Sequence, residues 1–201
     1  EGAPELVLAS PFQYDRQALV YAPEDMPDPN DPGYGAAFVE RAMRILKATR
    51  GRAFLLFTSH AALGRAVEAM RPLLPYPVLA QGEAPRDELL RRFRVTPGAC
   101  LFGTATFWEG VDVPGDALSC VIIDRLPFDP PDEPIVKARG DAVTAEGGSA
   151  FQDYHLPLAV IRLRQGFGRL IRSRGDRGVV AILDSRARSR KYGEVFLRSL
   201  P

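Results

Sequence analysis

Short, wholly apolar runs of strand length recur along this chain, and no other feature narrows its fold as much. Ala53–Phe57, Val121–Ile123 and Val179–Leu183 carry no polar side chain. A strand with one face in water alternates polar and apolar residues, whereas an apolar run is covered on both faces. The stretches between the runs read as helices. In residues 35–49, Phe38, Ala42, Ile45 and Leu46 share one helical face. Ser59 can cap a helix running to about Arg71 with Leu63, Val67 and Met70 inward, and Pro85 can start one through Phe93. Tyr76–Ala80, Ala99–Gly103 and Leu118–Asp124 add strands. Further helices are expected over Glu133–Ala145, Leu156–Arg172 and residues 188–199. Strand–helix alternation of this kind predicts an α/β three-layer sandwich, a mostly parallel sheet with helices on both faces.

The first 34 residues differ in character. They are acidic and proline-rich, and Ala22–Gly33 holds too many prolines for a regular element. Leu6–Ala9 and Ala18–Tyr21 can be short strands within this lead-in or connector, and residues 35–201 read as one domain. Nothing approaches the roughly 18 apolar residues of a membrane span. The start, Glu1-Gly2-Ala3-Pro4, lacks the basic and apolar regions of a signal peptide and reads as cut from something longer. Cys100 and Cys120 stand alone in apolar stretches, as buried thiols of a cytoplasmic, reducing compartment do.

Charge is unevenly spread. Residues 1–159 hold 15 basic and 22 acidic side chains, a net of −7, while residues 160–201 hold 11 and 3, a net of +8. A basic C-terminal region fits a polyanion partner, or simply a solvated face.

In parallel α/β sheets, ligands sit beyond the carboxyl ends of the strands. That rule selects Thr58-Ser59-His60, Gln81-Gly82, the segment 104–115 and Asp184-Ser185-Arg186. Thr104 and Thr106 offer hydroxyls to phosphates, while Glu109 and Asp112 can accept from a ribose or an arginine. Trp108, the only tryptophan, can stack on a base or pack beneath its loop. A second candidate is Gln165-Gly-Phe-Gly-Arg169-Leu-Ile-Arg172. On a continuous helix, Gln165, Arg169 and Arg172 line one face, and Leu163, Phe167 and Leu170 another. One amide and two guanidinium groups suit a triphosphate, unless the arginines are merely solvated.

No phosphate-binding loop of the form G-x-x-x-x-G-K-[ST] occurs; Gly51-Arg-Ala-Phe-Leu and Gly175-Asp-Arg-Gly have the wrong spacing. Without one, Asp124 and Asp184 at strand ends are expected to pair with Arg125, Arg186 or a helix end rather than hold magnesium. His60 and His155 form no metal pair, and no metal site is expected.

Taken together, Phe57-Thr-Ser-His60, Gly103–Gly115 with its Trp-Glu-Gly-Val-Asp core, and Gln165–Arg172 resemble motifs IV, V and VI of superfamily-two helicases of the DinG/XPD-like branch. The flanks Ser10-Pro-Phe12, Arg125-Leu-Pro-Phe128, Asp184-Ser-Arg186 and Tyr192-Gly193 through Ser199-Leu-Pro201 are also similar to DinG proteins, so the resemblance spans nearly the whole chain. It implies a RecA-like C-terminal motor domain sharing an ATP site with an N-terminal motor domain of the same polypeptide. That other domain would supply the phosphate loop, the magnesium-holding groups and any iron–sulfur cluster; no cluster is expected in this piece. By motif position Arg172 would be the arginine finger, Arg169 would contact phosphate or the interface, and Gln165 would couple the two. Glu109, Gly110 and Asp112 would lie near the nucleotide. Thr58, Ser59, His60, Gln81, Thr104 and Thr106 would follow single-stranded DNA. The fragment alone is not expected to hydrolyse ATP. A non-catalytic nucleic-acid-binding module is the alternative.

Overall fold

The computed structural model describes residues 12–104, 117–130, 132–171 and 173–201. The expected strand Leu6–Ala9 lies outside them. Six parallel strands form one sheet in the order β1-β6-β5-β2-β4-β3. They are β1 (Ala18–Tyr21), β2 (Ala53–Phe57), β3 (Val78–Ala80), β4 (Cys100–Thr104), β5 (Cys120–Ile123) and β6 (Gly178–Ile182). The possible strand in the lead-in is therefore an edge strand of this sheet, paired with β6.

The central strands split their side chains between two cores with the period of two that the pleat imposes. Phe54, Leu56, Leu101, Val121, Ile123, Val180 and Ile182 pack under α4 (Arg86–Val95), α6 (Leu156–Phe167) and α8 (Gly193–Ser199). Ala53, Leu55, Phe57, Cys100, Phe102, Cys120 and Ile122 pack under α2 (Tyr34–Thr49) and α3 (His60–Met70). Both thiols are free and buried, and burial pushes each up to about 12. Among the described residues no helix is long and apolar enough to cross a membrane.

Ser59 caps α3 as expected, its Oγ accepting from Ala62 N at 3.2 Å. The remaining helices are α1 (Tyr14–Gln17), α5 (Pro134–Ala145) and α7 (Arg186–Ser189). Two helices depart from expectation. The last one is broken into α7 and α8 at Arg190, whose backbone is extended, and Gly193 then packs so close to the Arg186 and Ala187 carbonyls that a Cβ there would lie 2.4 Å from each. The helix expected over 156–172 is preceded by a π-helical segment, Ala150–His155, and stops at Phe167. Past Phe167 the bonds tighten to three-residue spacing, Arg169 N to Gly166 O and Leu170 N to Phe167 O. Leu170 and Ile171 then turn consecutively into the core. Two adjacent buried positions are more easily met by a turn than by a continuing helix.

Candidate functional site

Register brings the carboxyl ends of five strands to one edge. Phe57 pairs with Thr104, Leu56 with Ile123, and Ile123 with Ile182, while Ala80 pairs with Phe102. Thr58, Gln81, Thr104, Asp124 and Asp184 therefore emerge along one edge. Within it, Gln81 and Thr104 are directly joined. The Gln81 side-chain Oε1 accepts from Thr104 N at 2.7 Å and from Thr104 Oγ1 at 2.9 Å. On the neighbouring strand, Thr58 is half-buried, and Ser59 and His60 are exposed at the start of α3. The cap uses a lone pair of Ser59 and leaves its proton for another partner. The edge thus presents hydroxyls, an amide and the N-terminus of an eleven-residue helix, a set suited to phosphate oxygens.

Asp124 and Asp184 are both engaged, as expected from the neighbouring arginines. The Asp184 carboxylate accepts from Leu126 N at 2.8 Å and from Arg186 Nη2 at 2.7 Å. Asp124 is less complete. Buried Tyr34 places its hydroxyl 2.9 Å from Oδ1 and against the Asp124 carbonyl. Oδ2 has no hydrogen-bond partner and lies 3.8 Å from Arg125 Nε, which has none either. Arg125 instead donates to Pro29 O at 2.6 Å, with its guanidinium 5.2 Å from the Tyr34 ring centroid. Sequence reasoning missed this node, because nothing in Tyr34 or Pro29 alone signals a contact across ninety residues. A cleft of about 690 Å³ between α2 and α3 reaches the edge at Asp124 and Arg125 but contains none of the residues expected to bind DNA or nucleotide.

Burial pushes the Asp124 carboxyl up to about 6 from an ordinary value of 3.8, against the opposing pull of Tyr34 and Arg125. Between about pH 4 and 6 the folded chain keeps a proton that the unfolded chain has lost, so stability falls as pH rises through that window. The difference is worth on the order of 3 kcal/mol. Asp124→Asn is expected to gain on the wild type by about that amount between pH 4 and pH 7 in urea unfolding. A stability difference that stays constant over that range would refute the raised Asp124.

Gln165 and Arg169 are elsewhere. Gln165 is exposed on the last turn of α6, and Arg169 is half-buried just past its end, so the two do not share one continuous helix. Their surroundings are set by α1. The Tyr14 ring packs 5.7 Å from Phe167, and buried Gln17 donates to Ser173 O and Asp176 O at 2.9 Å each. No sequence pattern singles out Gln17 either. The remaining expected site residues, Thr106, Glu109, Gly110, Asp112 and Arg172, lie outside the described residues, as does Trp108.

The helicase C-terminal domain family matches residues 42–201. The chain is 47% identical over its full length to the ATP-dependent DNA helicase YoaA of Escherichia coli (strain K12), covering 32% of that protein. It is 43% identical over 98% of its length to the ATP-dependent helicase DinG of Mycobacterium tuberculosis (strain H37Rv), covering 30% of it. The chain therefore spans about a third of the length of these curated relatives. A solved XPD helicase structure superposes with a TM-score of 0.71 over 90% of this chain and 34% of its own, at 16% identity, which shows the shared RecA-like fold.

Proposed function

Because the chain belongs to the helicase C-terminal domain family, we propose that it is the second motor domain of a DinG-like, ATP-dependent DNA helicase. In this reading the carboxyl edge is part of the track for single-stranded DNA, with Thr58, Ser59, His60, Gln81, Thr104 and Thr106 meeting the backbone. The α6 end and the segment after it form one wall of an ATP site. Arg172 is the finger toward the γ-phosphate, Arg169 contacts phosphate or the interface, and Gln165 couples the two. Glu109, Gly110 and Asp112 stand near the nucleotide. ATP and Mg²⁺ are held mainly by the other motor domain of the same polypeptide, which also carries any iron–sulfur cluster. The full protein works in the cytoplasm and moves along single-stranded DNA from 5′ to 3′.

The observation that supports the track most directly is the Gln81–Thr104 pair on strand ends beside the Ser59-capped start of α3. Gln81→Glu tests it. A glutamate keeps an oxygen for both Thr104 donors and adds a negative charge among the groups meant for phosphate. Binding of the 201-residue chain to a labelled oligothymidine, read by fluorescence anisotropy, is expected to weaken about tenfold or more, with the melting curve unchanged. The same chain is expected to show no steady ATP turnover. Equal DNA affinity in the variant and the wild type would remove Gln81 and Thr104 from the track. Turnover by the isolated chain would contradict the shared ATP site.

A further inference from the structure

Two segments hold glycine and arginine without the spacing of a phosphate loop, Gly51-Arg52-Ala53 and Gly175-Asp176-Arg177-Gly178. The sheet order brings them together. β5 lies between β2 and β6, so Arg52, Ser119 and Arg177, each just ahead of its strand, stand in a row at the amino edge. Backbone bonds tie the row: Ser119 N donates to Arg52 O at 2.9 Å, and Val179 N donates to Ser119 O at 2.9 Å. β1, on the far side of β6, adds Arg16 and Gln17.

These residues line one cleft of about 440 Å³, where Arg16, Arg52 and Arg177 meet one carboxylate among the described residues, Asp15. Inside it the Ser119 hydroxyl is buried without a hydrogen-bond partner. Such an orphaned group in a native fold calls for a ligand or a function. The backbone carrying Arg52 is also strained. Arg50, Gly51 and Arg52 are consecutively left-handed, with φ of 58°, 68° and 51°. Arg50 is the left-handed C-cap of α2, a common helix ending, whereas Arg52 adopts that conformation at a cost. Gly51 has no substitute, since a Cβ there would lie 2.0 Å from Gly98 O.

We propose that this amino-edge cleft binds a phosphate group, held by the guanidinium groups of Arg16, Arg52 and Arg177 and by the Ser119 hydroxyl. Three planar, permanently charged donors and one neutral hydroxyl match the oxygens of a phosphate monoester or diester. The cleft lies at the edge opposite Thr58, Gln81 and Thr104, so it is separate from the DNA track and stands or falls independently of it. A nucleic-acid backbone and a free phosphate are the two sources of such a group.

The test is a nuclear magnetic resonance titration of the 201-residue chain, once with inorganic phosphate and once with single-stranded oligothymidine. The signals read are the arginine Nε–H groups and the Ser119 and Gly178 amides. Saturable shifts at Arg16, Arg52 and Arg177 are expected with inorganic phosphate. Arg16→Ala and Arg177→Ala should each weaken them about tenfold. Both arginines are exposed, so neither substitution should change the melting curve. Oligothymidine moving the same signals and competing with phosphate assigns the cleft to nucleic acid; shifts with phosphate alone assign it to a free phosphate. Shifts that do not saturate with either probe, or that survive both substitutions, overturn the proposal. The Gln81→Glu variant should leave the cleft signals unaffected, which separates failure here from failure of the DNA track.

Discussion

With Arg172 as the finger proposed above, Arg172→Ala in the full-length protein is expected to lower DNA-stimulated ATP turnover by about a thousandfold or more, with single-stranded DNA affinity changed by less than about threefold. The size follows from the chemistry of phosphoryl transfer. Negative charge redistributes over the γ-phosphate oxygens and the leaving group, and a guanidinium fixed beside them acts mainly on the transition state. Its flanks here are well held. Ile171 is buried, and Ser173 donates to Asp176 through its amide at 2.8 Å and its hydroxyl at 2.7 Å. Gln17 holds the Ser173 and Asp176 carbonyls from the other side. Steady-state ATPase at saturating DNA, with anisotropy for binding, gives both readouts. Weakened DNA binding with turnover intact would favour the non-catalytic nucleic-acid-binding module instead.

The strand-by-strand plan was legible because burial on both faces removes polar residues from a strand altogether. The same property hid which face each residue takes. Leu101 and Phe102 look alike in sequence, yet one packs under α4 and α6 and the other under α2 and α3. Local signals did well where a short-range interaction decides the outcome, as at the Ser59 cap and the Asp184–Arg186 pair. They failed where the outcome depends on distant packing. The stripe Leu163, Phe167 and Leu170 is buried as its spacing implied, but the helix that would carry it onward ends at Phe167. The residues of the candidate site were mostly visible from strand ends. Tyr34, Pro29 and Gln17, which hold Asp124, Arg125 and Ser173, come from the lead-in and the start of α2, where no pattern pointed to a contact.

Asp184→Ala is expected to be the most destabilising single change at the carboxyl edge, at about 3–5 kcal/mol. The Asp184 side chain is fully buried, and four donors converge on it: Leu126 N, Arg186 N, Arg186 Nε and Arg186 Nη2. Truncation leaves the buried Leu126 amide without an acceptor and a largely covered guanidinium without its counter-charge. An orphaned buried donor alone costs about 1–3 kcal/mol. Against the roughly 5–15 kcal/mol that a domain has in total, the sum removes a large share of the stability. Asp184→Asn separates the two parts. It retains one oxygen to accept from Leu126 N but loses the charge that holds Arg186, so its urea midpoint should fall between those of the wild type and the alanine variant. Arg186→Ala leaves a buried carboxylate with only backbone donors, and a double-mutant cycle with Asp184→Ala should return a coupling of about 2 kcal/mol or more. An alanine variant unfolding at the wild-type midpoint would mean that the turn at Leu126 is held by its buried apolar contacts alone.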